Sequence, residues 1–193
     1  MNIILDYVYR LITSPLSAME EITGGEKLKV GGIIWLFVIF LITLSSFRTG
    51  PGIVTEFIGM VISLGIILLF HSAIIDYFSG LLGGKGTARG ITSGFMSASL
   101  PYAFSVFFTL LENFGLEGIN GIGLFFISLW CFILDILAIR ANYGFSNGKA
   151  FLIGISPFIL GLVLTVAILV LGVVSALAGL ADMQQIEGLM ESI

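Results

Sequence analysis

The sequence predicts an all-α, polytopic integral membrane protein with five transmembrane helices. Three observations carry this. First, of 193 residues 58% are hydrophobic and only 10% charged, with a mean hydropathy of +1.13, where soluble domains hold about 45–50% apolar and about 25% charged residues. Second, five stretches reach the roughly 20 residues a helix needs to cross a bilayer core of about 30 Å. Third, seven of the eight basic residues fall on one side of a chain that crosses five times. The same arithmetic excludes an ordinary soluble enzyme and a disordered chain. With a net charge of -4 and 8 Lys and Arg, it also excludes nucleic acid as a partner.

Residues 1–26 have a character of their own. Ile4, Leu5, Val8, Leu11 and Ile12 recur at helical spacing around Asp6 and Arg10, and Ser14-Pro15 starts a second piece carrying Leu16, Met19 and Ile22. One reading is an amphipathic interfacial segment lying along the membrane surface. The other is that these helices pack under the bundle or bind a partner. The segment is not expected to be a secretory signal, because Asp6 precedes Arg10 and Ser14-Pro15 breaks the apolar run.

The transmembrane domain is expected at residues 27–181. Its spans fall at about 31–47, 53–77, 90–111, 121–139 and 150–180. The third is the most polar, and the fifth is long enough to tilt or to bend at Pro157. Gly50, Pro51 and Gly52 mark the turn after span one. Pro101 and Pro157 each remove a backbone donor, so helix kinks are expected there. Small residues should let helices approach closely in lipid: Ser93, Gly94, Ser97, Ala98 and Ser99 in span three; Gly154, Gly161, Gly172, Ala176 and Gly179 in span five. Residues 182–193 form a short acidic tail with Asp182, Glu187 and Glu191.

Charge sets the orientation. Arg10, Lys27, Lys29, Lys85, Arg89, Arg140 and Lys149 fall on one side of a five-span chain and only Arg48 on the other. The positive-inside rule then places the N-terminus in the cytoplasm and the C-terminus outside the cytoplasmic membrane.

Ionisable groups at membrane depth are costly and therefore worth singling out. Asp135 lies inside span four, and His71 and Asp76 lie toward the cytoplasmic end of span two. Asp135 fits a structural pairing, an ion or substrate ligand, or a position near the interface. His71 fits a hydrogen bond between helices, a proton relay or a metal ligand. Arg140 lies too far round the helix to pair ideally with Asp135. No metal is expected, since one His, the single Cys131 and scattered carboxylates lack ligand spacing, and no cofactor is expected either. Cys131, among Leu129, Trp130, Phe132 and Ile133, reads as a packing residue.

The connection SGLLGGKGTARG, residues 79–90, is not a phosphate-binding P-loop, because Gly86 rather than Ser or Thr follows Lys85. Its glycines read as tight turns. Lys85 and Arg89 can meet lipid phosphates. ANYGFSNGKA, residues 141–150, is a second Gly-Lys loop on the same face. With Arg140 and Lys149 it completes a candidate cytoplasmic interaction surface.

At these residues the chain resembles the Yip-domain family of membrane proteins (the Ypt-interacting proteins), particularly its short bacterial and archaeal members. The resemblance runs from Ser14-Pro15 through HSAIIDYFSGLLGGKGTARG (residues 71–90), Leu100-Pro101-Tyr102 and Trp130 to GFSNGKA (residues 144–150). It implies a five-span bundle with a cytoplasmic N-terminus. Eukaryotic relatives act in membrane traffic with small prenylated GTPases; here the long polar N-terminal region is missing and residues 136–140 read ILAIR, so GTPase binding is not carried over.

Two functions follow from different features. One is a non-enzymatic membrane protein that organises membranes or recruits partners through its cytoplasmic loops, with membrane lipids and a second copy or another membrane protein as partners. The other is a small transporter or channel for an ion, small solute or lipid, using Asp135 and His71, with a homodimer supplying a pathway. An enzyme is not expected, because no nucleophile, base and orienting group stand at diagnostic spacing.

Overall fold

The structure, a computed structural model, describes residues 3–46 and 52–191, the side chains of 46 and 177–191 aside. All regular structure among these residues is helical. α1 spans Ile3–Thr13, α2 Pro15–Gly24, α3 Leu28–Ser46, α4 Ile53–Leu81, α5 Ala88–Ala98, a 3-10 turn Leu100–Phe104, α6 Ser105–Asn113, α7 Ile119–Tyr143 and α8 Asn147–Glu191. Five segments are long and apolar enough to cross a membrane: Leu28–Ser45, Ile53–Leu81, Ala88–Asn113, Ile119–Tyr143 and Asn147–Ala176. They agree with the five expected spans. Arg48, Phe47 and the Gly50-Pro51 turn lie outside the described residues. So do the side chains of Asp182, Glu187 and Glu191.

The chain divides into two units, residues 1–154 and 155–193. The second is the continuation of α8. Its helix runs unbroken through Pro157, and Phe158, Leu162, Ile168, Leu171 and Val174 are all exposed. An apolar helix with no covered face of its own needs lipid or protein around it. Within this unit, Gly161 and Gly172 leave open space where a side chain would stand.

In the first unit, α2 lies under the bundle. Ala18, Met19 and Ile22 are fully buried, and the helix packs on α5 and α7. Pro15 starts it, where a missing N–H costs no hydrogen bond. α1 packs on α2 and α3 through Tyr7 and Leu11 and leaves Ile3, Leu5, Tyr9 and Ile12 exposed.

α5 forms the middle of the bundle and touches α2, α3, α4 and α7. Small residues on α5 and on its neighbours make this possible. A Cβ at Gly31 would sit 2.6 Å from the Ser93 carbonyl oxygen, and one at Gly94 would sit 2.8 Å from Ala138 Cβ. Ser93 and Ser97 are fully buried and return their hydroxyls to the backbone, Ser93 to Gly90 O at 2.7 Å and Ser97 to Ser93 O at 2.9 Å. The break at Pro101 takes the form of a 3-10 turn between α5 and α6. Tyr102 N–H donates to Ser99 O at 2.9 Å, and the hydroxyls of Ser99 and Ser105 donate to Met96 O and Tyr102 O, each at 2.7 Å. Local donors thus serve carbonyls that lipid could not satisfy.

Candidate functional site

Two places in the first unit gather the polar residues singled out from the sequence. The first is a cavity of about 280 Å³ within the membrane-spanning helices. α3 supplies Trp35, Val38, Ile39 and Ile42. α4 supplies Leu64, Ile67, Leu68 and His71. Phe95, Ala98 and Ser99 come from α5, Tyr102 from the 3-10 turn, and Cys131 and Asp135 from α7. Each helix contributes residues at i, i+3, i+4 or i+7, the spacing that keeps side chains on one face. His71 lies ten residues before the end of α4 and Asp135 eight before the end of α7, so at 1.5 Å per residue they sit about 15 and about 12 Å from those ends.

The structure therefore brings His71 and Asp135 to one cavity. The His71 ring meets Phe95 edge-on, with centroids 4.8 Å apart. Among the described residues, neither side chain makes a hydrogen bond or an ion pair. Cys131 lies one turn before Asp135 and is buried, as a packing residue would be. Asp76 does not join them. It accepts a hydrogen bond from the Tyr143 hydroxyl at 2.7 Å, linking α4 to the end of α7. That link was not legible in the sequence, since 67 residues separate the pair.

The second place is the end of the bundle where the α2–α3, α4–α5 and α7–α8 connections meet. Leu82, Gly83, Lys85, Asn142, Gly144, Phe145 and Lys149 line a surface recess of about 540 Å³. The two Gly-Lys loops thus share one surface. Gly83 and Gly144 have positive φ (80° and 70°), as turn glycines should. Gly84, Gly86 and Gly90 have a different reason from the tight turns expected. A Cβ at Gly86 would stand 2.4 Å from Asn142 O, and one at Gly90 would stand 2.8 Å from Thr23 O. Asn142 Nδ2 donates to Thr87 O at 2.9 Å, and Thr87 caps α5 by accepting from Gly90 N at 3.0 Å.

The cations at this end are unequally engaged. Arg140 donates to Asn147 Oδ1 at 2.8 Å, away from Asp135. Arg89 lies 4.0 Å from Glu26 and is largely exposed. Lys85 and Lys149 are exposed and pair with no carboxylate among the described residues; Lys149 Nζ lies 5.7 Å from the Phe145 ring centroid.

Nearby, Glu21 of α2 is a hub that sequence spacing did not reveal. It accepts hydrogen bonds from Tyr7 and Arg10 of α1 and from Lys27 at the start of α3. These donors hold its carboxyl at about 2, well below the ordinary 4.5. The Lys27 bond contributes most, then Tyr7 and Arg10. The Glu21 bond raises Lys27 and Arg10 in return.

Among the described residues, no group of three or more His, Cys, Asp or Glu could hold a metal ion. The Yip1 domain family matches the chain over residues 9–187. No curated protein and no solved structure matches it.

Proposed function

The chain belongs to the Yip1-domain family, and from that premise we propose that it recruits partners or organises membranes through the basic end of its bundle. As a Yip1-domain protein it is a non-enzymatic, multi-pass membrane protein in contact with lipid. The proposal adds that Lys85, Arg89, Arg140 and Lys149 face the cytoplasm, with the N-terminus on that side and the C-terminus outside. It takes the chain as a short prokaryotic form. The supporting observation is the shared recess of the two Gly-Lys loops, with exposed Lys85 and Lys149 free of any carboxylate among the described residues. Anionic headgroups and acidic surfaces of a second copy or another membrane protein suit such a face. Crosslinking in native membranes tests it. Joint charge reversal of Lys85, Arg89 and Lys149 should release captured partners, and an unchanged set would refute the surface.

A second reading, a small transporter or channel, is favoured by one observation: His71 and Asp135 line the same cavity. Asp135→Asn and His71→Ala should then slow flux into proteoliposomes. Flux indifferent to both would remove the assignment.

A further inference from the structure

We infer that the cavity between α3, α4, α5 and α7 binds a small lipophilic organic cation, such as a protonated primary amine on a compact hydrocarbon body, with Asp135 as its counter-charge. The walls decide the body of the ligand. Ile39, Ile67, Leu68 and Phe95 are among a mostly apolar lining in which His71, Ser99, Tyr102 and Asp135 supply the few polar groups, and about 280 Å³ lies just below the roughly 300–1,000 Å³ typical of ligand pockets.

The lone carboxylate decides the charge. Asp135 is partly buried at membrane depth and has no hydrogen bond or ion pair among the described residues. In low dielectric a carboxyl either stays protonated or takes a partner that offsets its charge, and a bound ammonium favours the charged form. A neutral lipid tail would fill the space without supplying that partner, and an anion would be repelled. A hard metal cation needs about six oxygen ligands, and no metal-binding group occurs among the described residues. An ammonium brings both the charge and the N–H donors. Trp35, Phe95 and Tyr102 also line the cavity, and aromatic faces favour organic cations over neutral groups.

Binding at this cavity rests on the same residues as the transport reading but does not require passage, and the two can fail separately. The test uses the full chain in nanodiscs of zwitterionic lipid, with 1-aminoadamantane as probe and 1-adamantanol as its neutral counterpart. Binding is measured by equilibrium dialysis and corrected with protein-free discs. The amine should bind saturably, and both the alcohol and the Asp135→Asn variant should show affinity at least about tenfold weaker, the loss of one well-placed charge contact. Equal binding of amine and alcohol, or amine binding unchanged in Asp135→Asn, overturns the inference. Absence of saturable amine binding also overturns it. If Asp135→Asn does not assemble, Leu64→Trp at an exposed lining position keeps the charge and narrows the cavity. It should lower amine binding by the same order with an unchanged thermal midpoint, and unchanged binding counts against the site. Proton or ion flux sensitive to Asp135 without amine binding supports passage and defeats this inference. Amine binding without flux does the reverse.

Discussion

A single carboxylate ties α1 to α2 and to the connection that leads into α3. Glu21 receives Tyr7, Arg10 and Lys27, and its carboxyl is held at about 2. A carboxyl lowered by folding contributes stability that is fully present above its unfolded value of about 4.5. That contribution fades as pH falls through about 2. A 13C titration of the Glu21 carboxyl in detergent should therefore give a midpoint near 2, and Glu21→Gln should loosen α1 at neutral pH. Because the group is solvent-exposed, added salt should weaken the effect. Tyr143 makes the other telling side-chain bond. Tyr143→Phe removes its donation to Asp76 and should cost about 1–3 kcal/mol, the cost of leaving a buried hydrogen-bonding group unsatisfied, read by denaturant titration in mixed micelles. Neither hub was visible in the sequence, because periodicity reports which face a residue takes and not which distant residue meets it. His71 and Asp135 did stand out, since ionisable groups inside long apolar runs are rare. Their common cavity did not, because uniformly apolar spans do not show which stripe faces which neighbour.

Helix packing turns on two kinds of glycine. Gly31 is pressed against the backbone of α5: an added Cβ would lie 2.6 Å from Ser93 O, and backbone cannot move aside as a flexible side chain can. Gly31→Ala should lower stability by about 1–3 kcal/mol, as overpacking does, outweighing the gain of up to about 1 kcal/mol in helix propensity. Gly59, in α4, faces open space. There the propensity gain stands alone, and Gly59→Ala should leave the thermal midpoint in nanodiscs unchanged or raise it. The expected small-residue packing of span three is present at Gly94, Ser93 and Ser97, whereas Gly161 and Gly172 of α8 have open space around them within their own unit. Sequence alone could not separate these cases, because a small residue permits close approach without requiring it. The same limit applied to α2. Leu16, Met19 and Ile22 have the spacing of a helix on a membrane surface and equally of one packed under a bundle. Burial against α5 and α7 is a property of those helices as much as of α2.

On the scale of the whole molecule, length and charge were legible in advance. Five spans followed from apolar runs, and five helices long and apolar enough to cross a membrane occur among the described residues. The segregation of basic residues also has a structural counterpart. Lys27 and Lys85 lie on connections, and Arg89, Arg140 and Lys149 in the adjoining helix turns, of one end of the bundle, where Thr87 is bonded to Glu26 and Asn142 to Thr87. The orientation of that end is the central claim, since recruitment through the loops depends on it. Single cysteines at Lys85, Lys149 and Glu117, in a Cys131→Ser background, labelled with a membrane-impermeant maleimide in right-side-out and inside-out vesicles, test it directly. The account predicts that positions 85 and 149 react only in inside-out vesicles and position 117 only in right-side-out ones. Reaction of 85 and 149 from opposite sides, or of both from outside, would contradict it.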